Sequence, residues 1–112
     1  MEVYGKDKKV DKILAHAVTM KKEYGETCAR RLQQRLMEIK AAENLLELSR
    51  LPQLQFHALH GKRKGQWSIS VVKNYKMTFI EAVDPLPVLP DGSIDLAAIT
   101  AVRIIDPCVD YH

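Results

Sequence analysis

The sequence predicts a single α+β domain, and three observations carry that expectation. Apolar residues recur with helical period from Val10 to Ile39. They then alternate with polar residues, with period two, between Trp67 and Phe79. Helical and strand patterns are segregated rather than interleaved, which argues against βαβ units and for helices laid on an antiparallel sheet. The expected architecture is an N-terminal αα-hairpin packed on one face of a small antiparallel β-sheet.

Val3 and Tyr4 favour a short edge strand that Gly5 stops. From Asp7 the helical pattern places Val10, Ile13, Leu14, Ala17 and Val18 on one face, with Lys8, Asp11, Lys12 and Lys22 opposite. His16, between Ala15 and Ala17, reads as a structural or surface residue of that helix. Tyr24-Gly25 breaks it, glycine being the usual residue just past a helix end. A second helix opens near Glu26-Thr27. Its apolar side is Cys28, Ala29, Leu32, Leu36 and Ile39, and its solvent side is Arg30, Arg31, Gln34, Arg35 and Glu38. Ala41 to Leu48 either continues that helix or forms a short one of its own, and Pro52 ends it through its missing N–H.

Leu54 to Leu59 is a candidate strand. Trp67, Ile69 and Val71 alternate with Ser68 and Ser70, and Tyr75, Met77 and Phe79 alternate with Lys76 and Thr78. Lys73-Asn74 between them suits a hairpin turn because asparagine tolerates positive φ. Residues 82–98 carry prolines, an Asp-Gly turn and no basic residue, so they read as a long connection with one helical turn at Asp95 to Ala98. Ala101 to Ile105 is apolar enough for a central strand, which Asp106-Pro107 ends or bends.

At 112 residues the chain makes one domain able to bury a core without staples. Its charge is uneven. Six Lys or Arg and no acid fall between Leu48 and Ile80, whereas residues 81–112 hold six acids against Arg103 alone. Local clustering of this kind is more informative than the net charge of +3. Cys28 and Cys108 lie in unrelated settings at no metal-ligand spacing; Cys28 reads as core, and nothing suggests a disulfide scaffold. The N-terminus has no apolar leader and no run approaches the roughly 18 residues that a membrane span needs, so a cytoplasmic protein is expected.

His57 and His60 stand just ahead of the basic, glycine-flanked turn Gly61-Lys62-Arg63-Lys64-Gly65. Alone, they are more plainly read as exposed loop residues than as functional ones. The C-terminus adds a carboxylate, a phenol and an imidazole in Asp110, Tyr111 and His112, although a polar tail is the plainer reading. Imidazoles, cations and aromatics near a sheet suit phosphodiester binding and cleavage; they also suit a modestly basic surface.

Taken together these residues look familiar. His57-Ala58-Leu59-His60-Gly61-Lys62-Arg63-Lys64-Gly65-Gln66-Trp67-Ser68 resembles the H-x-L-x-G-x-R-x-G-x-W-S series of plasmid-maintenance killer proteins, the HigB branch of the RelE/ParE toxin superfamily. Asn74 to Phe79 is similar to that family's N-[WY]-R-[IL]-x-F strand, and Asp110-Tyr111-His112 to its closing D-Y-H. The likeness runs over nearly the whole chain. It departs from the family's pattern at His60, where lysine is usual, and at Lys76, where arginine is usual. Lysine keeps the charge but loses the bidentate fork. The proline-rich connection at 82–98 is longer than in compact members.

The resemblance implies a small α+β toxin that cuts messenger RNA in the ribosomal decoding site, without metal or cofactor. It places catalytic roles on His57, Lys76, Asp110, Tyr111 and His112. His57 and His112 would share the proton transfers, because imidazole titrates near neutral pH. Asp110 would orient an imidazole or serve as base, Lys76 and Arg63 would balance charge on the phosphorane, and Tyr111 would stack on a base. His60, Lys62, Lys64, Arg30, Arg31 and Arg35 would hold RNA phosphates. The implied partners are the ribosome, messenger RNA and a helix-turn-helix antitoxin, with operator DNA reached only through that antitoxin. Two alternatives stand beside this one: a ParE-like gyrase poison, and a non-catalytic module that docks RNA or a protein.

Overall fold

The computed structural model describes residues 1–110. The chain folds as β1 (Glu2–Gly5), α1 (Lys8–Ala15), α2 (Ala17–Tyr24), α3 (Glu26–Ala41), α4 (Leu45–Ser49), β2 (His57–Ala58), β3 (Trp67–Val72), β4 (Tyr75–Glu81) and β5 (Ala101–Val109). The five strands form one sheet in the order β1-β5-β4-β3-β2. The α+β class is as expected, but the sheet is mixed rather than antiparallel. β1 runs parallel to β5, pairing Val3 with Val102 and Tyr4 with Arg103, while the other neighbours are antiparallel. Parallel pairing needs a long crossover, and everything from α1 to β4 supplies it.

The predicted first helix is two. Asp7 caps α1 by accepting a hydrogen bond from the Val10 amide at 2.9 Å. The chain then leaves helical geometry at His16 (φ −132, ψ 117) and starts again as α2. The break has a packing reason. Val10 and Ile13 are buried where α1 meets β1 and β5, and Met20 is buried where α2 meets α3. A continuous helix would have turned Ala17 and Val18 inward; both are exposed instead, Val18 at 81%. α2 and α3 pack on each other across Gly25, which adopts φ 85 and ψ 165. That region is accessible essentially to glycine alone.

α3 buries its predicted apolar residues Cys28, Ala29, Leu32, Leu36 and Ile39. These join Ile69, Val71, Met77, Phe79, Val102 and Ile104 in one core cluster. Ala41 to Leu48 resolves into a separate helix: α4 begins after Asn44, whose side chain accepts from the Glu47 amide at 2.9 Å. Leu54 to Leu59 is a strand only at His57–Ala58, because Pro52–Leu54 forms a 3-10 turn and Gln55 is left-handed. The β3–β4 hairpin turns at Asn74 with φ 69, as its sequence requires. Trp67 is half-buried, stacked on Phe56 at 5.0 Å between ring centroids, and donates its indole N–H to Glu81 at 2.9 Å.

The connection at 82–98 folds back on itself through a Val88–Ile94 bridge and ends in a 3-10 turn at Leu96–Ala98. β5 passes through Asp106-Pro107 rather than stopping there. The register against β4 shifts on either side of Thr78, so two irregularities bend the strand.

The geometry at Gly25 yields a clean stability test. A Cβ there meets nothing within 4 Å, so Gly25→Ala carries only the backbone penalty. The variant is expected to lose about 1–3 kcal/mol in chemical denaturation, and an unchanged midpoint would contradict the assigned conformation.

Candidate active site

Strand pairing decides which sequence-predicted residues share a surface, because directly opposed residues project from the same face of a sheet. His57 lies opposite Ser68, Ser68 opposite Thr78, Thr78 opposite Asp106, Ser70 opposite Lys76, and Lys76 opposite Val109. The alternate residues Ile69, Val71, Met77 and Phe79 belong to the core. His57, Ser68, Ser70, Lys76 and Thr78 therefore sit together on the face turned away from that core. The period-two pattern of β3 and β4 is the sequence signal for this surface.

His57 is exposed on the short outer strand β2. Its Nδ1 lies 2.8 Å from the Gln55 carbonyl oxygen. A carbonyl can only accept, so Nδ1 carries the proton of the neutral ring and Nε2 is the atom that takes or gives one. The left-handed conformation of Gln55, at φ 49, turns the chain immediately before this contact.

Lys76 is half-buried near the start of β4, between Ser70 and Val109. Asp110 is exposed and follows Val109 directly. The sheet thus carries the end of β5 alongside Lys76. Tyr111 and His112 lie outside the described residues.

The loop from His60 to Gly65 contains a 3-10 turn at Gly61–Arg63 and is closed by the Leu59 amide donating to the Gln66 carbonyl at 2.9 Å. His60, Lys62 and Lys64 are exposed. Arg63 is not simply a surface cation. Its Nη1 donates to Asp106 Oδ2 at 2.9 Å and to Gln66 Oε1 at 3.3 Å. Asp106 is the β5 partner of Thr78, so this ion pair closes the loop over the row of Ser68 and Thr78. Both of those residues are fully buried, and Thr78 Oγ1 has no hydrogen-bond partner among the described residues. Sequence reading missed the pairing because Arg63 and Asp106 are 43 positions apart.

The α3 arginines divide. Arg30 is exposed and pairs with Glu26 at 3.4 Å, and Arg31 is exposed. Arg35, expected on the solvent side, is 2% exposed. Its Nε donates to the Ser70 carbonyl at 2.7 Å and its Nη1 to Glu38 at 2.6 Å, while Gln53 donates to the other Glu38 oxygen at 2.9 Å. This network ties α3 to β3 and to the turn that precedes His57. Arg35 is therefore a buried strut and not a phosphate contact. Its spacing from Leu32 and Ile39 was the available signal, since three- and four-residue steps share a helix face.

The Tyr24 phenol is pushed up to about 12, first by burial and then by the Glu23 and Asp106 carboxylates. It stays protonated throughout the physiological range. Among the described residues no group of three or more His, Cys, Asp or Glu is placed to hold a metal ion. Nor, among the described residues, is any helix long and apolar enough to cross a membrane.

Residues 5–84 match the family described as the RelE-like toxin of type II toxin-antitoxin system HigB. The matched span takes in all four helices, the basic loop and the β3–β4 hairpin, and leaves β5 and the closing residues outside it. No curated protein matches the chain.

The Arg35 network supplies a test that separates structure from RNA contact. Arg35→Met strands the Glu38 carboxylate beside a half-buried network, so it should lower unfolding free energy by about 3–5 kcal/mol. Arg31→Met should leave stability within about 0.5 kcal/mol. Equal denaturation midpoints for the two variants would contradict the burial assigned to Arg35.

Proposed function

The chain belongs to the HigB-like toxins, RelE-like toxins of type II toxin–antitoxin systems, and from that premise we propose that it is an endoribonuclease of translated messages. The proposed substrate is messenger RNA in the ribosomal A site, and the whole of residues 1–112 acts as one toxin domain. What best supports this reading is the shared sheet face, which sets an imidazole of fixed tautomer and a half-buried lysine on one surface and leads the chain on from Lys76's partner into Asp110.

Scission at the 2′-OH needs a base for that proton, an acid for the leaving 5′-oxygen and a cation for the phosphorane. His57 Nε2 transfers one proton. His112 transfers the other by the family pattern, with Asp110 orienting an imidazole or acting as base and Tyr111 stacking on a nucleobase. Lys76 stands opposite the strand end that leads to these residues and balances the developing charge. The 2′-oxygen attacks phosphorus, the 5′-oxygen departs with a proton, and a 2′,3′-cyclic phosphate remains. His60, Lys62, Lys64, Arg30 and Arg31 hold phosphates of the message or of ribosomal RNA, an interaction that weakens steeply with salt. Arg63 acts differently: its pairing with Asp106 makes it a fastening of the basic loop.

A toxin of this family has a cognate antitoxin. The antitoxin here is proposed to be a helix-turn-helix repressor through which the pair reaches its operator, and the site of action is proposed to be the cytoplasm.

Inducible expression with mapping of 5′ ends on cellular messages tests the reading. The intact chain should arrest growth and create new ends within translated codons. His57→Ala or deletion of His112 should abolish both without changing far-ultraviolet circular dichroism. Lys76→Ala should slow cleavage by about 10²–10³-fold. Growth arrest with DNA breaks trapped on gyrase, and no new message ends, would overturn the proposal in favour of a gyrase poison.

A further inference from the structure

The sequence treats Cys28 and Cys108 as unrelated; the fold joins them. Their sulfurs are bonded across a separation of 80 residues. Cys28 is the third residue of α3 and is buried, while Cys108 is half-buried near the end of β5. Both line an open cleft of about 460 Å³ whose walls include Tyr24, Thr27, Val72 and Tyr75. We propose that this pair is a thiol–disulfide exchange site for low-molecular-weight thiols and disulfides, and that its oxidation state sets how firmly the last residues of β5 are held against the sheet.

Position supports both halves of the proposal. The cleft gives a small thiolate a path to the Cys108 sulfur, the more accessible of the two. Attack there forms a mixed disulfide and breaks the protein bond, and the electron pair goes to Cys28 Sγ. That leaving thiolate forms in the first turn of a 16-residue helix, where the macrodipole favours negative charge. A second thiol then attacks the mixed disulfide and releases Cys108. In sum, two small thiols become one small disulfide, and the protein pair gains two electrons and two protons. Oxidation is the reverse, with a low-molecular-weight disulfide as oxidant.

The consequence follows from what surrounds Cys108. It immediately precedes Val109, the partner of Lys76, in the stretch where the β4–β5 register shifts twice. Irregular pairing of this kind leaves the strand end weakly held by its ladder. The sulfur bond fastens it to α3, which is anchored in the core through Ala29 and Leu32. Any effect on RNA cleavage rests on the function proposed above, since Asp110 lies two residues further on.

The test uses the full chain equilibrated in glutathione buffers of rising disulfide fraction, quenched, alkylated and weighed by intact mass spectrometry. Amide exchange at Cys108 and Val109 is followed in the same samples. The two thiols should disappear together, and exchange at Val109 should slow about tenfold or more in the oxidised form. Cys28→Ser and Cys28→Ala should both leave Cys108 as a glutathione mixed disulfide. Two alkylatable thiols at every buffer ratio, oxidation without any change in exchange, or folded Cys28 variants that take up no glutathione would each overturn the proposal. None of these readouts involves RNA, so failure of the nuclease reading would leave them intact.

Discussion

The structure depends on where β5 lies. Among the described residues this strand alone is hydrogen-bonded to both the start of the chain and the β3–β4 hairpin, parallel to β1 on one side and antiparallel to β4 on the other. Val102 and Ile104 are fully buried within it, in the same cluster as Leu32 and Ile39 of α3. Remove its pairing and, among the described residues, β1 loses its sheet neighbour, the core loses its floor, and nothing sets Val109 beside Lys76. Hydrophobic burial fixes the strand between β1 and β4, and that placement then decides which polar residues meet on the other face.

That other face is built by two different physical devices. The pleat puts His57, Ser68, Lys76 and Thr78 on one side because opposed residues must share a side. The Arg63–Asp106 ion pair then fastens the basic loop across them. Half-exposed pairs of this kind contribute little to global stability, so the pair matters here chiefly for where it holds His60, Lys62 and Lys64. Behind the sheet, Arg35 and Glu38 connect α3 to the turn that presents His57. Membership of a toxin–antitoxin family gives these arrangements a context, because a toxin of this kind has a cognate antitoxin, and the RNA-binding role of this surface belongs to the proposal.

Much of this was readable in advance, and the reasons for success and failure are physical. The hairpin was legible because its signals are local: alternation on both arms and an asparagine able to adopt positive φ. The apolar face of α3 was legible from spacing alone. The charge of Arg35 suggests solvent, whereas its spacing from Leu32 and Ile39 puts it on the buried face, where it lies. The helix break at His16 carries no glycine or proline and arises from two separate docking sites for α1 and α2. The parallel β1–β5 pairing and the Cys28–Cys108 bond join residues far apart in sequence, and nothing local announces either. Of the candidate site, the strand residues could be read from periodicity, whereas Asp110, Tyr111 and His112 rested on the family pattern. Tyr111 and His112 lie outside the described residues, so their roles remain part of the proposal.

The central claim is that side chains of this sheet face make the RNA's own 2′-oxygen the nucleophile. The most direct measurement is the chemistry of the cut ends, using the purified chain on ribosomes programmed with a defined message. The account predicts a 2′,3′-cyclic phosphate facing a 5′-hydroxyl, and no cleavage where a single 2′-deoxy nucleotide replaces the one at the cut. Ends bearing a 3′-hydroxyl and a 5′-phosphate, or cleavage that ignores the 2′-deoxy substitution, would contradict it.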